Sequence, residues 1–304
     1  MRLKYAIRHA GSTWHVALLD YPELILVGAL AGLTIFLGLP LAVVGGVSQK
    51  RKGFLNAVAT GILIFLTVDV FSHAWQSTEL AVTRAFAGSA SIPDSVYSLT
   101  AMFGGIAIGL LGLTFYGKRF MRQSFVQSPL NGATSRNGNS SYAKQQLQLV
   151  QQVDTYRLSM MIAIGIGAHN FSEGLAIGES YAQGAIQLAL ILVLGFAAHN
   201  ATEGFGIAAP LTGLSNRPST RFLILAGLVG GGPTFIGTVL GSLWSSAIAY
   251  ILFLSVAGGA LVYVTMLMYN AGRRQATNDI LMVGFFFGII AGFLTDLIVT
   301  LGGV

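Results

Sequence analysis

The sequence predicts an all-α integral membrane protein, a bundle of eight transmembrane helices, and three observations carry that prediction. Of 304 residues, 54% are hydrophobic and 9% charged, against roughly 25% charged in an average soluble domain. So few charges cannot cover the surface of a soluble protein of this size, and the mean hydropathy of +0.70 points the same way. The apolar residues also fall in blocks of about 20, the length a helix needs to cross a hydrocarbon core about 30 Å thick. Finally, glycine is abundant at 39 residues, as membrane helices that pack closely require.

Eight blocks qualify as spans: 24–44, 54–75, 96–116, 158–178, 188–209, 222–243, 247–268 and 281–302. The fourth and fifth are joined by a short turn, as are the sixth and seventh, so each pair is expected to be antiparallel neighbours. Residues 1–22 lack the apolar stretch and small-residue cleavage site of a signal peptide. They read as an amphipathic lead-in lying on the membrane surface. Residues 118–156, rich in Ser, Asn, Gln and Arg, read as a flexible solvated connection without histidine. The whole of 1–304 is expected to be one transmembrane domain.

The net charge of +6 does not indicate a nucleic-acid partner, because the positive residues lie in loops between apolar blocks. Connections after spans 1, 3, 5 and 7 hold Lys50, Arg51, Lys52, Lys118, Arg119, Arg122, Arg136, Lys144, Arg157, Arg217, Arg221, Arg273 and Arg274. The opposite side holds Arg2, Lys4, Arg8 and Arg84. This asymmetry places 118–156 in the cytoplasm and both termini outside it. The expected location is the plasma or inner membrane; helical spans exclude the β-barrels of an outer membrane. The absence of cysteine removes disulfides, thiolate ligands and Fe–S clusters. No GxxxxGK[ST] loop is present to bind ATP, and no motif asks for a bound cofactor.

Ionisable residues inside a membrane helix cost roughly 2.5–3.5 kcal/mol each on insertion scales, so their concentration is informative. Span 4 carries His169, Asn170 and Glu173 in HNFSEGLAIG, and span 5 carries His199, Asn200 and Glu203 in HNATEGFGIAAP. The two motifs form an internal repeat. His and Glu four residues apart share a helix face, and both motifs fall near the middle of their spans. If spans 4 and 5 are antiparallel neighbours, two imidazoles, two carboxylates and two amide oxygens surround one small volume near the bilayer midplane. That set suits Zn2+, Fe2+, Mn2+, Co2+ or Cd2+ and lacks the thiolates favoured by Cu(I). Gly174 and Gly204, each following a Glu, permit local loosening of the helix.

Other readings stand beside this one. A lone membrane His or Glu is often a structural hydrogen bonder, although a repeated pair on consecutive spans argues against that. A metal-binding membrane protein that does not transport is a second reading. An intramembrane zinc hydrolase is a third, but such enzymes use HExxH, with Glu as base and a second His. Here Asn follows each His, so the chain is not expected to be an enzyme. Asp69 and His73 in span 2 and Asp296 in span 8 lie toward the extracytoplasmic ends of their helices. They read as an access funnel or proton relay, or as simple mutual pairing, the latter preferred for Asp296.

The paired motifs HNFSEG and HNATEG resemble the signature helices of the Zrt/Irt-like (ZIP) divalent metal permeases, and span count, outside termini and a long third loop extend the resemblance over nearly the whole chain. The resemblance implies a 3+2+3 arrangement, with spans 1–3 and 6–8 related by an inverted repeat around spans 4 and 5, and often a homodimer. It implies that His169, Asn170, Glu173, His199, Asn200 and Glu203 are the ligands of a transported metal, and that Asp69 and His73 stand where relatives carry His and Glu in a pattern like HLLPE. Three departures follow. Thr202 replaces the usual proline before the span 5 Glu, so the kink there is expected to be weaker. Gly232 replaces an acidic residue before Pro233, and span 7 has no acidic residue in YVTMLMYN. One principal metal position, rather than two, is the expectation.

Overall fold

The computed structural model describes residues 21–125, 140–214, 216–244 and 246–301, with side chains outside 120–152 and 298–301. Every regular element among them is helical. Helix α1 spans Tyr21–Leu33 and continues as 3-10 turns over Thr34–Leu37 and Leu39–Val43. It is followed by α2 (Gln49–Phe86), α3 (Ile92–Phe125), α4 (Ser140–Ala182), α5 (Ile186–Ala208), α6 (Thr220–Leu243), α7 (Ala247–Gly272) and α8 (Asn278–Leu301). Eight of these segments are long and apolar enough to cross a membrane.

The helices outrun the predicted spans at several ends. α2 has 38 residues and α4 has 43, about 57 and 65 Å at 1.5 Å per residue, well beyond a 30 Å hydrocarbon core. The connection expected over 118–156 is therefore helical at both ends, since α3 runs to Phe125 and α4 begins at Ser140. Gln- and Ser-rich sequence is compatible with helix once an apolar span nucleates it. The remainder of that connection, 126–139, and residues 1–20 of the lead-in lie outside the described residues.

Helix starts and stops follow local chemistry. Ser48, Ser219 and Ser246 are N-caps whose hydroxyls accept from Arg51 N, Phe222 N and Ala249 N at 3.2–3.4 Å, satisfying amides that otherwise lack partners. The tight α4–α5 turn depends on Gly184, whose φ of 79° lies in the left-handed region. With only three residues between them, α4 and α5 pack as antiparallel neighbours.

Two sets of helices result. One holds α1, α4, α5 and α6; the other holds α2, α3, α7 and α8; α4 touches α7, and α5 touches both α2 and α8. Small residues set the spacing. A Cβ on Gly32 would collide with the Gly231 carbonyl of α6, and one on Gly109 with the Val256 carbonyl of α7. Glycines 284, 288 and 292 bring α8 onto α2 in the same way. The four-residue glycine spacings thus serve close helix packing. Phe103, Ile108, Leu111 and Phe115 on α3, with Phe286, Phe287, Phe293 and Leu294 on α8, face outward. In a bilayer those side chains meet lipid tails, where apolar exposure carries no penalty.

Helix α4 is the most deeply buried of the eight spans. Midway along it, Ile162 and Ile166 share a core with Ile207 of α5, with Leu211 of the 3-10 turn Ala209–Leu211 that follows α5, and with Leu63 and Leu66 of α2. Its last third joins Ile177 to Val193 of α5 and to Leu24 and Ala31 of α1. Between these two apolar layers lies a polar one.

Candidate metal centre

The polar layer is made by the repeated motifs. On α4, His169 and Glu173 stand one turn apart on one face; on antiparallel α5, His199 and Glu203 do the same. The faces meet. His169 Nε2 lies 3.3 Å from Glu173 Oε1 and 3.9 Å from Glu203 Oε1, and His199 Nε2 lies 3.9 Å from the same Glu203 oxygen. The imidazole centroids are 6.0 Å apart. One donor atom from each of His169, Glu173 and His199 falls within 4.8 Å of the other two. All four residues are at most 7% exposed.

This burial needs compensation. A carboxylate removed from water is strongly unfavourable unless paired or bound to a metal. Among the described residues, only the two imidazoles come within ion-pair distance of Glu203. Both Glu203 oxygens, Glu173 Oε2, both His169 nitrogens and His199 Nε2 have no hydrogen-bond partner. Four donors about 2.0–2.1 Å from a tetrahedral Zn2+ stand about 3.3 Å apart. The His169–Glu173 separation already has that value, and the 3.9 Å separations need a closure of about half an ångström. Two carboxylates would also neutralise a divalent charge. The four residues fit a divalent cation in number and type, and His169, Glu173 and His199 also in spacing.

The two asparagines are held differently. Asn170 Nδ2 donates to Gly230 O on α6, and Asn200 Nδ2 donates to Ala31 O on α1, each at 3.0 Å. Each acceptor is a backbone carbonyl of a neighbouring helix. Gly230 lies one residue after Val229, to whose carbonyl Pro233 cannot donate. Ala31 precedes the change from α to 3-10 geometry at Thr34, whose hydroxyl also donates to Ala31 O at 2.6 Å. With both amide nitrogens fixed, each Oδ1 is left buried and without a partner.

The glycines that follow the glutamates do not loosen their helices. α4 and α5 run unbroken through the motifs. A Cβ on Gly174 would strike Thr234 O of α6, and one on Gly204 would strike Ile35 O of the 3-10 turn after α1. Their role is close approach, which clamps each glutamate between neighbouring backbones. α5 continues as helix through Thr202, whose hydroxyl donates to His199 O at 2.7 Å.

Asp69 and His73 are not part of the quartet. His73 Nδ1 donates to Asp69 O at 3.0 Å and lies 3.5 Å from Asp69 Oδ1. His73 is half exposed and Asp69 about a quarter exposed. One contact had no signal in the motifs: Thr295 of α8 reaches His199, with Oγ1 3.5 Å from Nδ1. A threonine in an apolar span is unremarkable by type, and only the register of α8 against α5 reveals it.

Eight helices long and apolar enough to cross a membrane, with a buried His/Glu cluster among them, define a multi-pass membrane protein. The chain belongs to the ZIP zinc transporter family, whose sequence profile matches residues 121–300, a stretch that contains both HNxxEG motifs. It is a metal transporter of the multi-pass membrane class; the family is one of transporters, not enzymes. Comparison with curated proteins gives no match.

Proposed function

We propose that the protein is a secondary permease moving divalent cations such as Zn2+, with Cd2+, Fe2+ and Mn2+ as further candidates, toward the cytoplasm through one site near the bilayer midplane. His169, Glu173, His199 and Glu203 are its principal ligands, with Asn170 Oδ1 and Asn200 Oδ1 completing the shell. The observation that carries this reading is the convergence of four buried side chains whose donor atoms lack other partners. The two apolar layers flanking them support a midplane position. In such a site the ligands replace hydration water, and one helix set moves against the other to alternate access.

The 3+2+3 inverted repeat is supported by the paired tethers from α4 to α6 and from α5 to α1, each from a motif asparagine to a backbone carbonyl. Two positive charges moving through 100 mV gain about 4.6 kcal/mol, so a negative-inside potential suffices to drive import. Asp69 and His73, partly exposed on α2, are assigned to the approach path or to a proton relay. The single-domain organisation, a cytoplasmic connection over 118–156, termini on the extracytoplasmic side, residence in the plasma or inner membrane and a homodimer belong to the same proposal. The homodimer rests on the family resemblance alone.

Orientation and direction are testable because the chain has no cysteine. Ser89→Cys, in the α2–α3 connection, is expected to react with an impermeant maleimide on intact cells. Asn216→Cys, in the α5–α6 connection, should react only after permeabilisation. Reversed labelling would overturn the orientation. Asp296 lies outside the quartet, so Asp296→Asn is expected to leave most of the Zn2+ uptake in place. Loss of uptake in that variant with retention in His169→Ala would move the site.

A further inference from the structure

We infer that Thr295 is the positioning residue for His199, fixing which imidazole nitrogen carries the proton and aiming the other into the metal centre. The inference rests on the quartet being the transport site, and it concerns a residue on α8, outside both motifs. Thr295 is 8% exposed. Its Oγ1 lies 2.8 Å from Gly292 O and 3.5 Å from His199 Nδ1. A carbonyl can only accept, so the short contact commits the hydroxyl proton to Gly292. The oxygen is left with lone pairs facing the imidazole. Nδ1 must then be the protonated nitrogen of neutral His199, donating to Thr295, and Nε2 carries the lone pair.

That is the nitrogen 3.9 Å from Glu203 Oε1, and it has no hydrogen-bond partner of its own. A histidine whose distal N–H is held by a second group is oriented for metal and made a better donor. The other histidine of the quartet lacks this device, because both nitrogens of His169 are without a hydrogen-bond partner. His199 is therefore the pre-set ligand, and His169 takes its orientation from the carboxylates and the cation. The contact also joins α5 to α8, which belong to different helix sets, so the pre-set geometry depends on how those sets are registered.

The test uses the full-length protein with Zn2+ as the probe. Equilibrium binding in detergent is measured for wild type, Thr295→Val, Thr295→Ser and His199→Ala. Thr295→Val keeps the shape and removes the acceptor, and it is expected to weaken Zn2+ binding by about 10–100-fold, the usual effect of losing an outer partner of a metal ligand. Thr295→Ser should restore binding to near the wild-type value. Thr295→Val binding like wild type while His199→Ala loses affinity would overturn the role of Thr295 alone. Failure of Thr295→Ser to rescue would also overturn it, since the site would then need the methyl group and not the hydroxyl. No Zn2+ binding by wild type, or unchanged binding by His199→Ala, would instead overturn the site itself. A second readout needs no Thr295 variant: solid-state NMR of metal-free protein labelled with 15N-histidine, in lipid, with the signal of His199 identified by its loss in His199→Ala. Protonation at Nδ1 is expected, and protonation at Nε2 would overturn the inference.

Discussion

Glu203→Met is expected to reduce Zn2+ uptake by more than about 100-fold and, at the same time, to raise the melting temperature of the metal-free protein. The two effects share one cause. Glu203 is 1% exposed and neither carboxylate oxygen has a hydrogen-bond partner, so in the absence of metal its burial is offset only by the two imidazoles 3.9 Å away. Replacing whole buried ion pairs by well-packed apolar side chains is often neutral or stabilising by about 1–4 kcal/mol, and here the imidazoles stand 3.9 Å away without a hydrogen bond to Glu203, so its removal breaks none. The same change removes the oxygen that both imidazoles approach at 3.9 Å. Loss of an outer partner typically costs about 10–100-fold in metal affinity, and loss of a direct ligand should exceed that. Thermal unfolding in chelator and in excess Zn2+ reads both sides. Wild type should be stabilised by Zn2+, by about 2.7 kcal/mol at a hundred times its dissociation constant, and Glu203→Met should not respond. A variant destabilised in chelator would mean that Glu203 is a structural anchor.

Gly204→Ala is expected to have the largest effect of any single added methyl group near the site. Its Cβ would collide with the Ile35 carbonyl and lie 3.2 Å from Gly38 Cα, and backbone atoms cannot turn aside as side chains can. Overpacking of this kind costs about 1–3 kcal/mol. The resulting shift of the 3-10 turn is transmitted to Glu203, one residue away, so uptake should fall with stability. Gly104→Ala provides the contrast, because a Cβ there meets nothing within 4 Å. Removing backbone freedom from a helix should leave it unchanged or more stable by up to about 1 kcal/mol. Melting temperatures of the two variants moving in the same direction would contradict this account of the packing.

Much of this molecule is legible in its sequence because the bilayer imposes a simple code. Blocks of about 20 apolar residues must be helices, and a repeated HNxxEG on consecutive antiparallel spans must place its polar faces together. Helix ends were less legible, since α2 and α4 continue well past the apolar blocks that define them, and polar Gln-rich sequence gives no stop signal. Residues acting through distant register were not legible at all. Gly174 and Gly204 read as points of flexibility, whereas the backbones opposite them make them points of contact. The asparagines read as ligands by motif, and only the structure reveals that their amide nitrogens are tied to Ala31 and Gly230. Thr295 gave no sign, because nothing in α8 marks which face meets His199.

The central claim is that a divalent cation crosses the membrane through the His169, Glu173, His199 and Glu203 quartet. It is tested most directly by Zn2+ uptake into proteoliposomes under an inside-negative potential, with wild type and His169→Ala reconstituted at equal density. Uptake by wild type that falls to the level of protein-free vesicles in His169→Ala is the predicted result. Equal uptake by the two proteins would contradict the account, because the cation would then be crossing by a path that does not include the paired motifs.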